Sequence, residues 1–194
     1  MRERPTPTLV VVSGQPGSGK TTLAHALAQT ISCPAVCRDE IKEGMAHAEG
    51  AEFQGGHGDP LTQLTLPLFF EVLRVLLEAS VTVVAEAAFQ DRLWRGGLDP
   101  LVGLAQFRVV RCRVDAATSF ERASARAALN QSRLKAHGDS AIGIGIAAWA
   151  QSFEAFQHIS LPVPSIDVDT SDGYDPGVNE IVDFINRAGD LAPS

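Results

Sequence analysis

The chain has 194 residues, 45% of them hydrophobic and 20% charged, which suits one globular domain, residues 1–194, with its own core. A formal charge of −7 excludes attraction of a polyanion by the overall field, and no dense run of Lys and Arg builds a local basic groove, so no nucleic-acid partner is expected. Cys33, Cys37 and Cys112 lack the paired spacing of a zinc framework and read as reduced, mostly buried thiols of a cytoplasmic protein. Met1–Thr8 has no apolar core of a signal peptide, and no apolar run reaches the ~18 residues of a membrane span, so no membrane association is expected.

Along the chain, Leu9–Ser13 is an apolar run without polar alternation, the mark of a strand buried on both faces. A glycine-rich turn follows, then helical spacing from about Gly19 to Ile31, with Leu23, Leu27 and Ile31 on one face. Ala35–Cys37 reads as a second strand, and Asp39 and Glu40 as the acidic opening of a helix reaching about Ala48. Residues 49–60, with four glycines, predict a mobile loop in which His57 is a candidate for reaching a substrate. Helical spacing returns over Leu61–Ala79, where Pro67 marks either a kink or the first turn.

Val81–Ala85, closed by Glu86, is the third strand, and Ala88–Leu104 a helix expected to break at Gly96-Gly97 and Pro100. Phe107–Val114 is the fourth strand. Asp115 then caps a helical stretch to about His137, and Ile144–His158 reads as another apolar helix. His25, His47 and His158 read as helix-surface residues. Ser165–Val168 is the fifth strand, followed by a turn-rich loop over Asp169–Pro176 and a closing helix from Pro176 to Ala188. Strands interleaved with helices predict an α/β fold, a parallel sheet covered by helices on both faces.

Gly14-Gln15-Pro16-Gly17-Ser18-Gly19-Lys20-Thr21-Thr22 contains the full P-loop pattern, placed as that motif requires between a buried strand and an amphipathic helix. Its glycines let successive N–H groups turn inward around phosphate oxygens, and the helix N-terminus adds positive potential. Lys20 has the reach for β- and γ-phosphates, and the Thr21 hydroxyl is a candidate Mg²⁺ ligand. The motif points to ATP and Mg²⁺ but does not say what the γ-phosphate is used for.

With this P-loop, Arg38-Asp39-x-x-Lys42 and the arginine-rich stretch Arg122–Arg133, the chain resembles the P-loop small kinases. Their relatives include chloramphenicol phosphotransferase, gluconate kinase, zeta-toxin kinases and the kinase half of polynucleotide 5′-kinases, and many such sequences are labelled only as AAA-family ATPases. The resemblance implies a five-stranded sheet in the order 2-3-1-4-5 with a helical lid near residues 115–137. It makes Asp39 the base that orients the attacking hydroxyl, although the same residue also suits a helix cap. Lys42 either holds an anionic substrate group or is solvated. Glu86 serves the Mg²⁺ shell, binds substrate, or is a surface carboxylate at a strand end. Arg122, Arg126 and Arg133, spaced four and seven apart, are lid arginines closing over the phosphates or a solvated basic face; Arg126 is the first choice for catalysis.

The expected function is an ATP- and Mg²⁺-dependent kinase, monomeric or homodimeric, that phosphorylates a hydroxyl of a small molecule such as an antibiotic, nucleoside or sugar. The acceptor is expected between the Asp39 helix, the Gly50–Asp59 loop, the Leu61–Ala79 helix and the Phe89–Arg95 region, near Phe53, Phe69, Phe89, Leu93 and Trp94. Three rivals stand beside it. A nucleoside-monophosphate kinase would need more arginines for a second phosphate, and a polynucleotide kinase would need a basic surface. A nucleotide-switched ATPase or binding protein would turn over little.

Overall fold

A computed structural model describes residues 5–56, 58–138 and 140–187; His57 and the first four residues lie outside them. Five strands form one parallel sheet in the expected order, β2-β3-β1-β4-β5. β1 (Thr8–Ser13) lies between β3 (Val83–Glu86) and β4 (Gln106–Arg113), with β2 (Ala35–Cys37) and β5 (Ser165–Asp169) at the edges. Leu9 and Val11 pack with Phe69, Leu73 and Leu77 on one face, whereas Val10 and Val12 pack with Leu23, Leu27 and Ile181 on the other. Alternate side chains thus enter two apolar layers, so Leu9–Val12 has no polar position, while Ser13 at the strand end donates its hydroxyl to Ala88 O.

The helices are α1 (Lys20–Thr30), α2 (Arg38–Glu49), α3 (Pro60–Glu78), α4 (Asp91–Leu98), α5 (Ala116–Leu129), α6 (Gln131–His137), α7 (Ser140–Glu154) and α8 (Val178–Asn186). Val12 and Cys37 both lie in register with Glu86, so β1, β3 and β2 end level with one another. The P-loop and the start of α2 therefore leave the sheet at the same edge, outside the carboxyl ends of the strands.

Several local readings change. α4 runs through Gly96-Gly97 because the ring of Phe70 occupies the space a Gly97 side chain would need; glycine here serves close packing rather than a break. Pro67 lies inside α3, whose first turn instead holds Pro60 after the Asp59 cap. The helix expected to about His137 divides at Asn130, which closes α5 and caps α6 by accepting from the Arg133 amide at 2.9 Å. The helix expected from Ile144 starts at Ser140 and kinks at Gly145, where φ is 71°. α3 reaches a mean hydropathy of 1.4 over 18 residues, enough by length and composition to cross a membrane although its apolar run is interrupted. In the fold, Leu61, Phe69, Leu73 and Leu77 are its buried stripe.

The glycine-rich loop is anchored at both ends. The Lys42 ammonium is buried and meets Asp59 Oδ2 at 2.6 Å, while Asp59 also accepts from the amides of Gly56 and Thr62. Burial opposes ionisation of Asp59, but Lys42 and these two amides outweigh it and hold the carboxyl below its usual range. Just before Gly56, Gly55 donates to Lys135 O at 2.6 Å and packs against the backbone of Ala136, which ties the loop to α6.

Asp59→Ala should cost about 3–5 kcal/mol in urea unfolding, because it strands a buried ammonium and uncaps α3. Lys42→Met should cost clearly less, since Asp59 keeps its backbone donors; equal small losses would show that the pair does not anchor the loop.

His158 is not a helix-surface residue: it lies beyond α7, bridging to Gln90, with neither ring nitrogen hydrogen-bonded. Burial, then Arg113 and Arg111, push its pKa down to about 4, with Asp167 opposing. Since the unfolded imidazole takes a proton first, its contribution to stability is intact above about pH 6.5 and is lost as pH falls toward the folded value. The Tm of the parent relative to His158→Leu should therefore decline from pH 6.5 to 4, and a constant difference would exclude His158 from the acid response.

Candidate active site

The loop Gly14–Gly19 carries the chain from the end of β1 into α1. Gly17 and Gly19 have φ of 77° and 73°, and the carbonyl of Ser119 lies where a Gly17 side chain would start. Glycine is required at 17 on both counts. The loop's carbonyls are engaged: Ser119 Oγ donates to Pro16 O at 2.6 Å, Thr170 Oγ1 to Ser18 O at 2.8 Å, and the Ser18 amide to Gln15 O at 3.2 Å. By contrast, no side chain caps α1, and its first-turn amides have no intrahelical acceptor. Donors without acceptors, beside the buried and unpartnered Ser18 Oγ, suit an anion of phosphate type.

Lys20 is buried, with its ammonium 3.5 Å from Gln15 O and 3.6 Å from Glu86 Oε1. Thr21 Oγ1 donates to the other Glu86 oxygen at 3.1 Å. Burial raises the Glu86 pKa, Lys20 opposes this, and the nearby Asp39 reinforces it. A hydroxyl and a carboxylate touching beside a phosphate site are hard oxygen donors of the kind Mg²⁺ takes, so the residues present fit that ion, with Thr21 as ligand and Glu86 behind it. Glu86 is not among the residues that line the adjoining cavity. Thr22, on the same turn, is exposed.

Next to Lys20 lies a cavity of about 500 Å³ that also reaches Asp39, Lys42, Arg126, Arg133, His137, Trp94 and Trp149. Asp39, in the first turn of α2, accepts from Arg38 at 3.1 Å and from Arg133 at 2.6 Å. Burial raises its pKa, but His137, Lys20 and Arg133 together pull it far below the usual carboxylate range, so it is ionised at neutral pH. Asp39 makes no capping bond to its own helix, whose N-cap position is Cys37. Of the two readings of Lys42, the solvated one does not hold: its buried ammonium pairs with Asp59 in the cavity wall.

The three arginines do not share one helix face, because Asn130 separates α5 from α6. Arg122 donates to the carbonyls of Thr170 and Ser171 at 2.8 and 2.7 Å, on the loop after β5. Arg133 bridges Asp39 and Glu43, both at 2.6 Å. The Arg126 guanidinium makes no hydrogen bond or ion pair with any described residue, and burial followed by Arg133 lowers its pKa. Among the described residues no carboxylate pairs with it directly, although Asp39, Glu86 and Glu43 act on it from farther away.

Four of the five apolar residues expected around the acceptor are elsewhere. Phe69 and Phe89 are fully buried core residues, Leu93 is exposed, and Phe53 packs on Leu61 and Ala136; Trp94 alone lines the cavity. The opposite wall carries Trp149, whose Nε1 donates to Ser119 Oγ at 3.2 Å, joining α7 to the P-loop through Ser119. Trp149 was missed because an apolar helix reads the same whether it faces a core or a cavity. Glu43 was missed too, although it stands one helical turn after Asp39, the spacing that puts two carboxylates side by side.

Residues 9–141 match the AAA domain family. Among solved structures, a protein of Chloroflexus aurantiacus J-10-fl provisionally assigned as a kinase superposes with a TM-score of 0.80 at 22% identity, covering 94% of this chain and 98% of its own. A gluconokinase of Sinorhizobium meliloti 1021 gives 0.57 at 19% identity over 95% and 94% of the two chains. The APS kinase of Mycobacterium tuberculosis, solved with AMPPNP and APS, gives 0.58 at 15% identity over 93% and 98%. No match is found among curated proteins. The chain belongs to the AAA domain family, and its fold is that of the P-loop kinases.

Proposed function

We propose that this protein is an ATP- and Mg²⁺-dependent kinase that transfers the γ-phosphate to a hydroxyl of a small molecule. The observation that carries the reading is the continuity of the site: the P-loop lysine opens onto the same cavity as an ionised carboxylate and an unpaired arginine. A phosphate site with a separate acceptor chamber is the layout that phosphoryl transfer needs, since the chemistry asks mainly for alignment and charge stabilisation.

In this reading the P-loop amides and Lys20 hold the nucleotide phosphates, and Thr21 with Glu86 would hold Mg²⁺, which would supply neutralising positive charge to the phosphates. Asp39 accepts the hydrogen bond of the acceptor hydroxyl and aims its oxygen. Its depressed pKa makes it a weak base, so positioning is its main contribution. Arg126 meets charge that develops on the transferred group, and Arg133 does so after exchanging a carboxylate for phosphate. Trp94 and Trp149 offer apolar walls to an acceptor with a flat or apolar part, such as a nucleoside or antibiotic. Three free cysteines and the absence of any disulfide among the described residues support a reducing, cytoplasmic setting.

Radiolabelled ATP offered with panels of sugars, nucleosides, antibiotics and oligonucleotides tests the reading directly. Lys20→Ala should abolish transfer with the fold retained, and equal turnover would remove the P-loop role. Asp39→Asn should lower kcat by about 10²-fold with ATP affinity little changed. Loss of ATP binding instead would make Asp39 part of the metal shell. Arg126→Ala should reduce kcat far more than it weakens ATP binding. Amide exchange over residues 115–137 should slow with ADP, Mg²⁺ and aluminium fluoride more than with ADP alone. Exchange indifferent to nucleotide, with normal turnover of the arginine variants, would favour the nucleotide-switched binding protein.

A further inference from the structure

On the far side of α2 from the cavity, three groups meet that the proposed transfer does not use. His25 projects from α1, Cys37 ends β2, and Glu40 lies in the first turn of α2. His25 Nε2 is 2.7 Å from Glu40 Oε1 and 3.7 Å from Cys37 Sγ, and the three atoms lie within 4.8 Å of one another. We propose that His25, Cys37 and Glu40 form a binding site for one divalent metal ion of the Zn²⁺ class, with water completing the coordination shell.

The protonation arithmetic of the cluster supports a cation. His25 Nε2 faces both partners with a single hydrogen-bonding position. If it carries a proton and donates to Glu40, it cannot accept from the Cys37 thiol. If it accepts from the thiol, its lone pair is also turned toward the Glu40 carboxylate. With Nε2–H donating to Glu40, the Cys37 sulfur is left only a long, shared contact with the imidazole, whereas a metal ion takes an electron pair from each of the three atoms.

Distances and donor types narrow the ion. Tetrahedral Zn²⁺ with ordinary bond lengths separates a sulfur from a nitrogen ligand by about 3.6 Å, and a nitrogen from an oxygen ligand by about 3.4 Å. The observed sulfur–nitrogen distance of 3.7 Å already fits, and the 2.7 Å nitrogen–oxygen contact must open. The His25 and Glu40 side chains are 51% and 48% exposed, so they have room to adjust and give the ion an entry path, while buried Cys37 supplies the fixed ligand. Mixed sulfur, imidazole and carboxylate donors favour Zn²⁺ and similar borderline ions over Mg²⁺, which takes oxygen alone.

On binding, the Cys37 S–H bond breaks and its proton passes to water as the sulfur–metal bond forms, with no change of oxidation state. The ion would link the P-loop helix to the β2–α2 junction, two residues before Asp39. The proposal rests on none of the nucleotide chemistry.

Co²⁺, which takes the same geometry and is coloured, provides the probe. Nucleotide- and Mg²⁺-free protein, reduced with a phosphine, should bind one equivalent and show a near-ultraviolet thiolate-to-cobalt band that Zn²⁺ abolishes. Cys37→Ser should remove the band, and Cys33→Ser should leave it. His25→Ala, at an exposed side chain that folding does not need, should weaken Co²⁺ binding by about tenfold or more. Zn²⁺ should raise the Tm of the parent and not that of Cys37→Ser. Absence of the band, its survival in Cys37→Ser, or unchanged affinity in His25→Ala would each overturn the site.

Discussion

A carboxylate buried at the carboxyl end of an inner strand of a parallel sheet is tolerable only if fixed charges and donors meet it there, and Glu86 is placed in that position. It is almost wholly buried, in register with Val12 on one neighbouring strand and Cys37 on the other. Lys20 and Thr21, the residues that open α1, are what it meets. The P-loop helix is thereby tied to the sheet through charge as well as through Leu23 and Leu27. Every other part of the site takes its position from this edge of the sheet.

Charge in the cavity is distributed so that most cations are already matched. Lys42 is spent on Asp59, which shapes the loop after α2, and Arg133 on Asp39 and Glu43, which docks α6 against α2. Arg122 is spent on carbonyls after β5. Arg126 is part-buried near Arg133 with no directly paired carboxylate among the described residues, and desolvation makes such a cation a strong receptor for negative charge. The P-loop repeats this economy in the backbone, where carbonyls are bonded to Ser119 and Thr170 while α1's leading amides are not. Because Ser119 belongs to α5, the helix carrying Arg126 is seated directly on the phosphate loop.

Much of the layout was legible in advance because its signals are local. A run of apolar residues without alternation identifies a strand buried on both faces, and the P-loop spacing encodes its own backbone geometry, so β1, the loop and α1 could be read together. Capping residues are equally local, which is why Asp115 marked the start of α5. Breaks were less secure. Gly96-Gly97 signals a break in isolation, and only the ring of Phe70 across the space shows that the glycine permits close packing within an uninterrupted helix. His158 likewise has no local sign of burial, which comes from its bridge to Gln90, distant in sequence.

The sequence by itself determined the sheet's strands, the phosphate loop and the acid that follows β2, since each depends on residues within a few positions of one another. Tertiary structure alone decided which charges are paired and which are free. Arg126 and Arg133 look equivalent in the chain, yet a turn at Asn130 sends one to a carboxylate pair and leaves the other unmatched. It also decided that Trp149, rather than Phe69 or Phe89, faces the cavity, and that His25 meets Cys37 and Glu40. Pairing energies fall off within a few ångströms, so they depend on distances that only the packed helices and sheet set, and these are not encoded by neighbours along the chain.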